Sequence, residues 1–297
     1  PEPGPQGGPL QDCLVILRRN YRSEERILNT SRRINAGDPG AIRELPRRAP
    51  SPCAWPPLEE WREPGGAPGG CWLVPAERDD PGELHGLVRA WAERHFLAPA
   101  RPGGPSFREL SLAFGRAPEA NRQGLLEALL SALGKARLLT VTRRSAWGAE
   151  ALNRRLADFL RPRLDPSGSG SAFSGAPILI TRNDPSKRLY NGDVGLLLRT
   201  ETGLAAFFPG CPPGGSLPLG LLPPWEPAWA STVHKAQGSE YEEVLLVAPP
   251  RGAERILTKE ILYTGITRAK RLAVLYGPQA VLEQAAARRV EIGRAHV

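Results

Sequence analysis

No methionine occurs among the 297 residues, not even at position 1. A natural chain of this length normally starts with one, so this one is expected to begin downstream of a true start. Cysteine is scarce. Cys13, Cys53, Cys71 and Cys211 form no C-x-x-C pair, which argues against a metal site and a disulfide framework. Cys13 and Cys71 open strand-like runs and read as small core residues. No apolar run approaches the roughly 18 residues needed to cross a bilayer, and the opening "PEPGPQGGPL" is neither basic nor apolar, as a signal peptide would be. A soluble, cytoplasmic protein without a membrane partner is expected. A phosphate-binding loop, G-x-x-x-x-G-K-[ST], is also missing. The only Gly-Lys, Gly134–Lys135, is followed by Ala136 and ends a helical pattern instead of joining a strand to a helix.

What is present is basic and rich in arginine. A net charge of +8 suits a polyanionic partner, of which phosphate backbones are the commonest. The alternative is compositional, because Ala, Gly, Pro and Arg together are abundant in proteins from GC-rich genomes.

Hydrophobic periodicity alternates between strands and helices. Leu14–Leu17 reads as a strand, followed by a helix that Ser23 can cap and that carries Glu24 and Glu25 in its first turn. Residues 38–70 read as a loose Pro/Gly-rich connection. Cys71–Pro75 is a strand, and helices are expected over 81–97 and 118–135. Arg137–Thr142 is a strand and Trp147–Leu160 a helix. Asp165–Pro177 reads as a flexible linker. Short strands with tight turns then form a small antiparallel unit over 177–227. Strands near 229–233, at "EVLLVA" and at "LAVLY" alternate with helices near 259–270 and 278–289. The pattern predicts an α/β fold, a mostly parallel sheet flanked by helices and interrupted by the antiparallel unit. The tail "EIGRAHV", residues 291–297, resembles a translated sequencing adapter and is expected to be non-native.

In open parallel sheets, ligands bind beyond the carboxyl ends of strands. Arg22 and His234 follow strands directly. Glu240 and Arg268 sit on connections that follow or precede strands and could line the same rim. Two arginines and a carboxylate there suit a nucleotide. Each residue also has an ordinary reading: Arg22 and Arg268 as solvated charges, Glu240 as a first-turn acid, Tyr21 as a packed aromatic, Thr232 as a strand residue. "NGD" at 191–193 reads most simply as a hairpin turn, and Trp225 and Trp229 as buried in preference to base-stacking.

Order and wording carry more. "NYRS" (Asn20–Ser23), "ITRND…NGDVG" (Ile180–Gly195), "TVHKAQGSEY" (Thr232–Tyr241) and "YTGITRAK" (Tyr263–Lys270) occur in this order. Together they resemble the C-terminal part of superfamily 1 DNA helicases, and within them the RecD family, the alpha subunit of exodeoxyribonuclease V. The resemblance implies a second RecA-like motor domain, formed by residues 1–176 and 228–290, with an SH3-type β-barrel inserted at 177–227. It implies that Tyr21 packs near the adenine of ATP, that Arg22 and Arg268 reach the γ-phosphate, and that Gly238 and Glu240 approach the nucleotide sugar and phosphates. Thr232 and His234 would face single-stranded DNA. ATP with Mg²⁺ would be held mainly by a first motor domain absent from these residues, leaving residues 1–297 alone inactive. The whole protein would couple ATP hydrolysis to translocation and duplex unwinding in recombinational repair. Its partners would be single-stranded DNA and duplex ends, and, where the protein works within a heterotrimer instead of alone, nuclease and second helicase subunits. The alternatives are another superfamily 1 motor, such as a relaxase–helicase, or a non-catalytic module that binds single-stranded nucleic acid.

Overall fold

The computed structural model describes residues 24–49, 54–63, 66–76, 80–99, 103–168, 170–210, 215–250, 252 and 255–288. The Leu14–Leu17 strand, Cys13, Cys53, Cys211, Ser23 and the 291–297 tail lie outside the described residues. In chain order the first half contains α1 (Glu25–Asn35), α2 (Gly40–Arg43), β1 (Gly70–Pro75), α3 (Pro81–Ala92), α4 (Phe107–Arg116), α5 (Arg122–Leu133), β2 (Ala136–Thr140) and α6 (Ala149–Leu164). The second half contains β3 (Pro177–Ile180), β4 (Val194–Thr200), β5 (Gly203–Phe207), β6 (Leu217–Pro218), β7 (Trp225–Pro227), β8 (Ala230–Thr232), β9 (Tyr241–Val247), α7 (Lys259–Ile266), β10 (Ala269–Gly277) and α8 (Gln279–Ala287).

Five strands, in the order β1-β10-β9-β2-β8, make an all-parallel sheet. Successive side chains on a strand point to opposite faces, and here both faces are apolar. Leu73, Leu275, Leu246 and Leu139 lie in one rank across the strands and join the core under α1, α2, α7 and α8. Trp72, Val274, Leu245 and Leu138 form the adjacent rank and join the core under α3 to α6. Double burial explains why these strands read as continuous apolar runs. The fold is the expected α/β one, a parallel sheet flanked by helices.

An exposed strand edge invites pairing with another chain, and both edges of this sheet are covered. Leu73 N–H donates to the Pro46 carbonyl at 2.9 Å, and Arg48 N–H to the Leu73 carbonyl at 3.0 Å. At the other edge Asn153, on α6, clamps β8. Its Nδ2 donates to the Ala230 carbonyl at 2.9 Å, and its Oδ1 accepts from Ala230 N–H at 2.8 Å.

The segment for which the resemblance implies an SH3-type barrel contains a five-stranded antiparallel sheet in the order β6-β5-β4-β3-β7. It packs into the same core as α3 to α6. Phe114 of α4 meets Phe207 of β5 edge-on at 5.2 Å.

Several local expectations change. Helix α4 is unanticipated. It opens with a capping box in which Glu109 N–H donates to Ser106 Oγ at 3.2 Å and Glu109 Oε2 accepts from Ser106 N–H at 2.7 Å. The helix expected over 118–135 begins later, at Arg122, after a single 3₁₀ turn. The helix from Pro81 continues to Leu97 through one π turn. The connection over 38–70 is packed where described, because its two tryptophans join the core under α3 to α6: Trp61 lies 5.2 Å from Trp55 and 5.7 Å from Trp72 of β1. The expected flexible linker is also pinned. Asp165 accepts from Ser174 N–H at 2.9 Å and from Arg199 Nη2 at 2.7 Å, and Phe173 is fully buried. Trp229 is buried as expected, stacked on Phe173 at 6.0 Å. Cys71 is a buried core residue, and burial pushes its thiol up to about 12.

Candidate functional site

Each parallel strand has an amino end and a carboxyl end, and the candidate residues divide between them. Arg268 closes α7 and immediately precedes β10. Its carbonyl accepts from Tyr241 N–H at 2.8 Å, which starts the ladder between β9 and β10. Its guanidinium is half-buried. Nε donates to the Thr264 carbonyl at 3.2 Å and Nη1 to the Ser239 carbonyl at 3.1 Å. Among the described residues Nη2 makes no hydrogen bond, which leaves one nitrogen of a planar, permanently charged group available to a ligand. Glu240 stands next to Ser239, with Oε2 3.9 Å from Lys270 Nζ. Gly238 has φ +86° and open space where a Cβ would point. Only glycine takes this conformation without strain. Gly238, Glu240 and Arg268 therefore form one cluster at the amino end of the sheet.

Thr232 and His234 belong to the other end. Thr232 is level with Thr140 in the sheet register, and Val233 N–H donates to the Thr140 carbonyl at 3.0 Å. His234 follows on a 3₁₀ turn and is exposed. Lys235 N–H is 3.4 Å from Thr232 Oγ1. One rim common to Glu240, Arg268 and His234 is not what the structure has. Glu240 and Arg268 precede their strands, His234 follows one, and parallel strands send these to opposite edges. Tyr21 and Arg22 lie outside the described residues. The first described residue, Glu24, donates its N–H to the Lys270 carbonyl at 2.8 Å, beside the amino-end cluster.

A groove of about 450 Å³ opens beside Thr232, between α6 and β7. Its polar lining includes Arg143, Glu150, Arg154, Glu226, Thr232 and Lys235. Sequence reasoning missed all of these except Thr232. Lys235 stands inside "TVHKAQGSEY", and Arg143 and Arg154 inside "LLTVTRRSAWGAEALNRRL", so the signal was there. What the sequence hides is that the two segments meet. Asn153 in the same groove holds β8, and with it Thr232, against α6.

The arrangement can do two kinds of chemistry. The amino-end cluster offers a guanidinium edge and a positive-φ glycine to a phosphorylated ligand. The carboxyl-end groove offers cations and a hydroxyl to a phosphate backbone. A nucleotide fits the donor set around Arg268. Among the described residues no group of three His, Cys, Asp or Glu is placed to hold a metal ion.

The UvrD-like helicase C-terminal domain family matches residues 227–276, which hold both clusters. The RecBCD enzyme subunit RecD of Mycobacterium tuberculosis (strain H37Rv) is 35% identical over 205 residues, 69% of this chain and 36% of that protein. The ATP-dependent RecD2 DNA helicase of Deinococcus radiodurans is 29% identical over 231 residues, 71% of this chain and 28% of that protein. The chain thus spans about a third of the length of these relatives. A solved structure of Bacteroides Pif1 bound to ssDNA aligns with 91% of this chain and 95% of its own, at 12% identity and a TM-score of 0.36.

Proposed function

This chain carries the C-terminal portion of a RecD-like helicase, and from that premise we propose that it supplies one half of an ATP site and one half of a single-stranded DNA track. Arg268, with Arg22, faces the γ-phosphate. Gly238 and Glu240 approach the sugar and phosphates, and Tyr21 the adenine. Thr232 and His234 contact the DNA backbone. ATP, when bound, supplies a phosphoryl group whose transfer develops charge on its oxygens. A guanidinium cannot lose its proton, so Arg268 stabilises that charge wherever it forms. Arginines in this role contribute about 10³–10⁵ in rate in related hydrolases.

The observation that carries the reading is the course of residues 232–240. This one segment begins at the carboxyl end of β8 with Thr232 and ends at the amino end of β9 with Glu240. The Ser239 carbonyl is held there by Arg268 at 3.1 Å. Val233 and Ala236 are buried along the way, in the core under α7. A shift of Arg268 on meeting a phosphate is therefore passed along a packed segment to Thr232. The coupling needs a partner domain that binds Mg²⁺-ATP, since residues 1–297 contain no phosphate loop. Residues 1–297 alone hydrolyse no ATP on this account.

The whole protein, on this reading, is an ATP-dependent DNA helicase that translocates on single strands and unwinds duplex ends in recombinational repair. The RecBCD subunit naming of its relatives supports assembly with nuclease and second helicase subunits. The test is separation of function in the full-length helicase: Arg268→Ala loses ATP hydrolysis with DNA binding kept, and Thr232→Ala loses DNA affinity first. Loss of both activities together in each variant would sink the assignment of separate ends.

A further inference from the structure

The groove between α6 and β7 contains a carboxylate where a phosphate would be expected. Glu226, on β7, reaches into it from the antiparallel sheet. Its Oε1 lies 2.5 Å from Lys235 Nζ, and its Oε2 3.3 Å from Arg143 Nη2. Arg143 is also paired through Nε with Glu150 at 2.9 Å. Glu226 and Lys235 are about three-quarters buried, at 26% and 30% side-chain exposure, while Arg143 is half exposed. Lys235 follows His234 directly and is tied through its N–H to Thr232 Oγ1. The two cations that Glu226 neutralises thus lie at the carboxyl end of the sheet, beside the residues proposed to face DNA.

We propose that Glu226 is a phosphate surrogate. It occupies the position of one phosphodiester of the bound strand, pairs Lys235 and Arg143 while the groove is empty, and is displaced when the strand enters. The inference rests on the reading of Thr232 and His234 as DNA-facing. It adds a residue that lowers affinity by design and a physical link to the antiparallel sheet. Glu226 is paired with Leu179 in the register of β3 and β7. Entry of a phosphate releases β7 from Lys235, and departure of the strand lets the pair re-form. A carboxylate and a phosphate oxygen make the same charge-assisted hydrogen bonds to Lys and Arg, so the exchange needs no rearrangement of the cations.

The exchange has a sign that a purely structural ion pair lacks. Removing a structural partner of Lys235 would loosen the groove and weaken binding. Removing a competitor strengthens it. The experiment measures binding of the full-length helicase, without nucleotide, to fluorescently labelled oligothymidylate, by anisotropy, across a salt series. Glu226→Gln is expected to tighten binding by roughly 2- to 10-fold, the worth of one or two partly exposed ion pairs. Its dependence of log K on log salt should also steepen, because no freed carboxylate takes up cations as the strand binds. Glu226→Asp keeps the charge on a shorter stem, should fall between the two, and carries the test if the glutamine variant fails to fold. In a Lys235→Ala background the gain from Glu226→Gln should shrink. If Lys235→Ala weakens binding and Glu226→Gln does not strengthen it, the surrogate role is overturned and the DNA-facing assignment stands. If neither Lys235→Ala nor Thr232→Ala changes the affinity, that assignment falls and this inference with it.

Discussion

Arg268 donates through Nη1 to the carbonyl of Ser239 at 3.1 Å, across 29 positions of sequence. The contact joins the two most distinctive stretches of the chain, "TVHKAQGSEY" and "YTGITRAK", at the amino end of the parallel sheet. It fixes the guanidinium against the turn that Gly238 makes, and leaves Nη2 pointing away from the hydrogen bonds made by Nε and Nη1. A proposed phosphate-facing arginine is thereby tied to the segment that also contains Thr232.

Asn153 makes two hydrogen bonds to Ala230, which is buried. Asn153→Ala leaves a buried N–H and a buried carbonyl without partners, at a cost of about 1–3 kcal/mol each. The expected result is a lower denaturation midpoint with an unchanged denaturant slope, accompanied by weaker oligothymidylate binding as Thr232 loses its support. A midpoint equal to that of the unsubstituted chain would show that β8 does not depend on this clamp.

Gly265 lies where α7 crosses the sheet. A Cβ there would stand 2.8 Å from Leu246 Cδ2 and 3.4 Å from Val233 Cγ2, and both neighbours are buried. Helix propensity alone favours alanine by about 1 kcal/mol, whereas overpacking costs about 1–3 kcal/mol. Stability is therefore expected to fall in the order Gly, Ala, Val at this position. Thermal melting of the three proteins checks the order, and a more stable Gly265→Ala would contradict it.

His95 and Glu243 form a buried pair, with Nε2 and Oε2 3.6 Å apart and neither atom hydrogen-bonded among the described residues. Burial pushes the Glu243 carboxyl up to about 7, against the pull of Arg94 and Arg271 and with a small push from Glu59. Burial, assisted by Arg94, drives the His95 imidazole down to about 3. Because the folded value for Glu243 lies above its ordinary one, its contribution to stability is complete below about 4.5 and is lost as pH rises through about 7. The loss amounts to about 3 kcal/mol. His95 acts in the opposite sense, and its contribution is lost as pH falls from about 6.5 through about 3. Between about 4.5 and 6.5 the two effects oppose each other, so the pair leaves stability nearly level there and lowers it only above about 6.5. Glu243→Gln should therefore leave the His95 contribution unopposed and make the melting temperature rise between pH 5 and pH 6.5. A melting temperature that stays level over that range in the variant would show that Glu243 does not offset His95.

Much of the fold was legible because burial on both faces of a parallel sheet leaves unbroken apolar runs, as at Leu245–Val247 and Leu272–Leu275. Helix α6 was legible from Leu152 and Leu156. Helix α4 was not read, although Ser106 and Glu109 stand at capping-box spacing, because glycines and prolines precede them and drew the reading to a loop. The packed state of residues 54–63 was hidden for a similar reason: Trp55 and Trp61, buried against Trp72 of β1, outweigh a local composition that reads as loose. Among the site residues, Gly238, Glu240 and Arg268 do come together, and Thr232 with His234 lies at the other end. That separation follows from strand direction, which single motifs do not show. Glu226 could not have been found from sequence at all. Its partners Arg143 and Lys235 lie on connections after two different strands of the other sheet, and one of them is 83 positions away.

The central claim is that the two ends of the parallel sheet serve two ligands. The most direct measurement is DNA-stimulated ATP hydrolysis and oligothymidylate affinity in the full-length helicase, compared between the unsubstituted protein and Arg268→Ala. The account predicts a loss of turnover of about 10³-fold or more, with DNA affinity unchanged in the absence of nucleotide. Turnover retained in Arg268→Ala, or ATP hydrolysis by residues 1–297 alone, would contradict it.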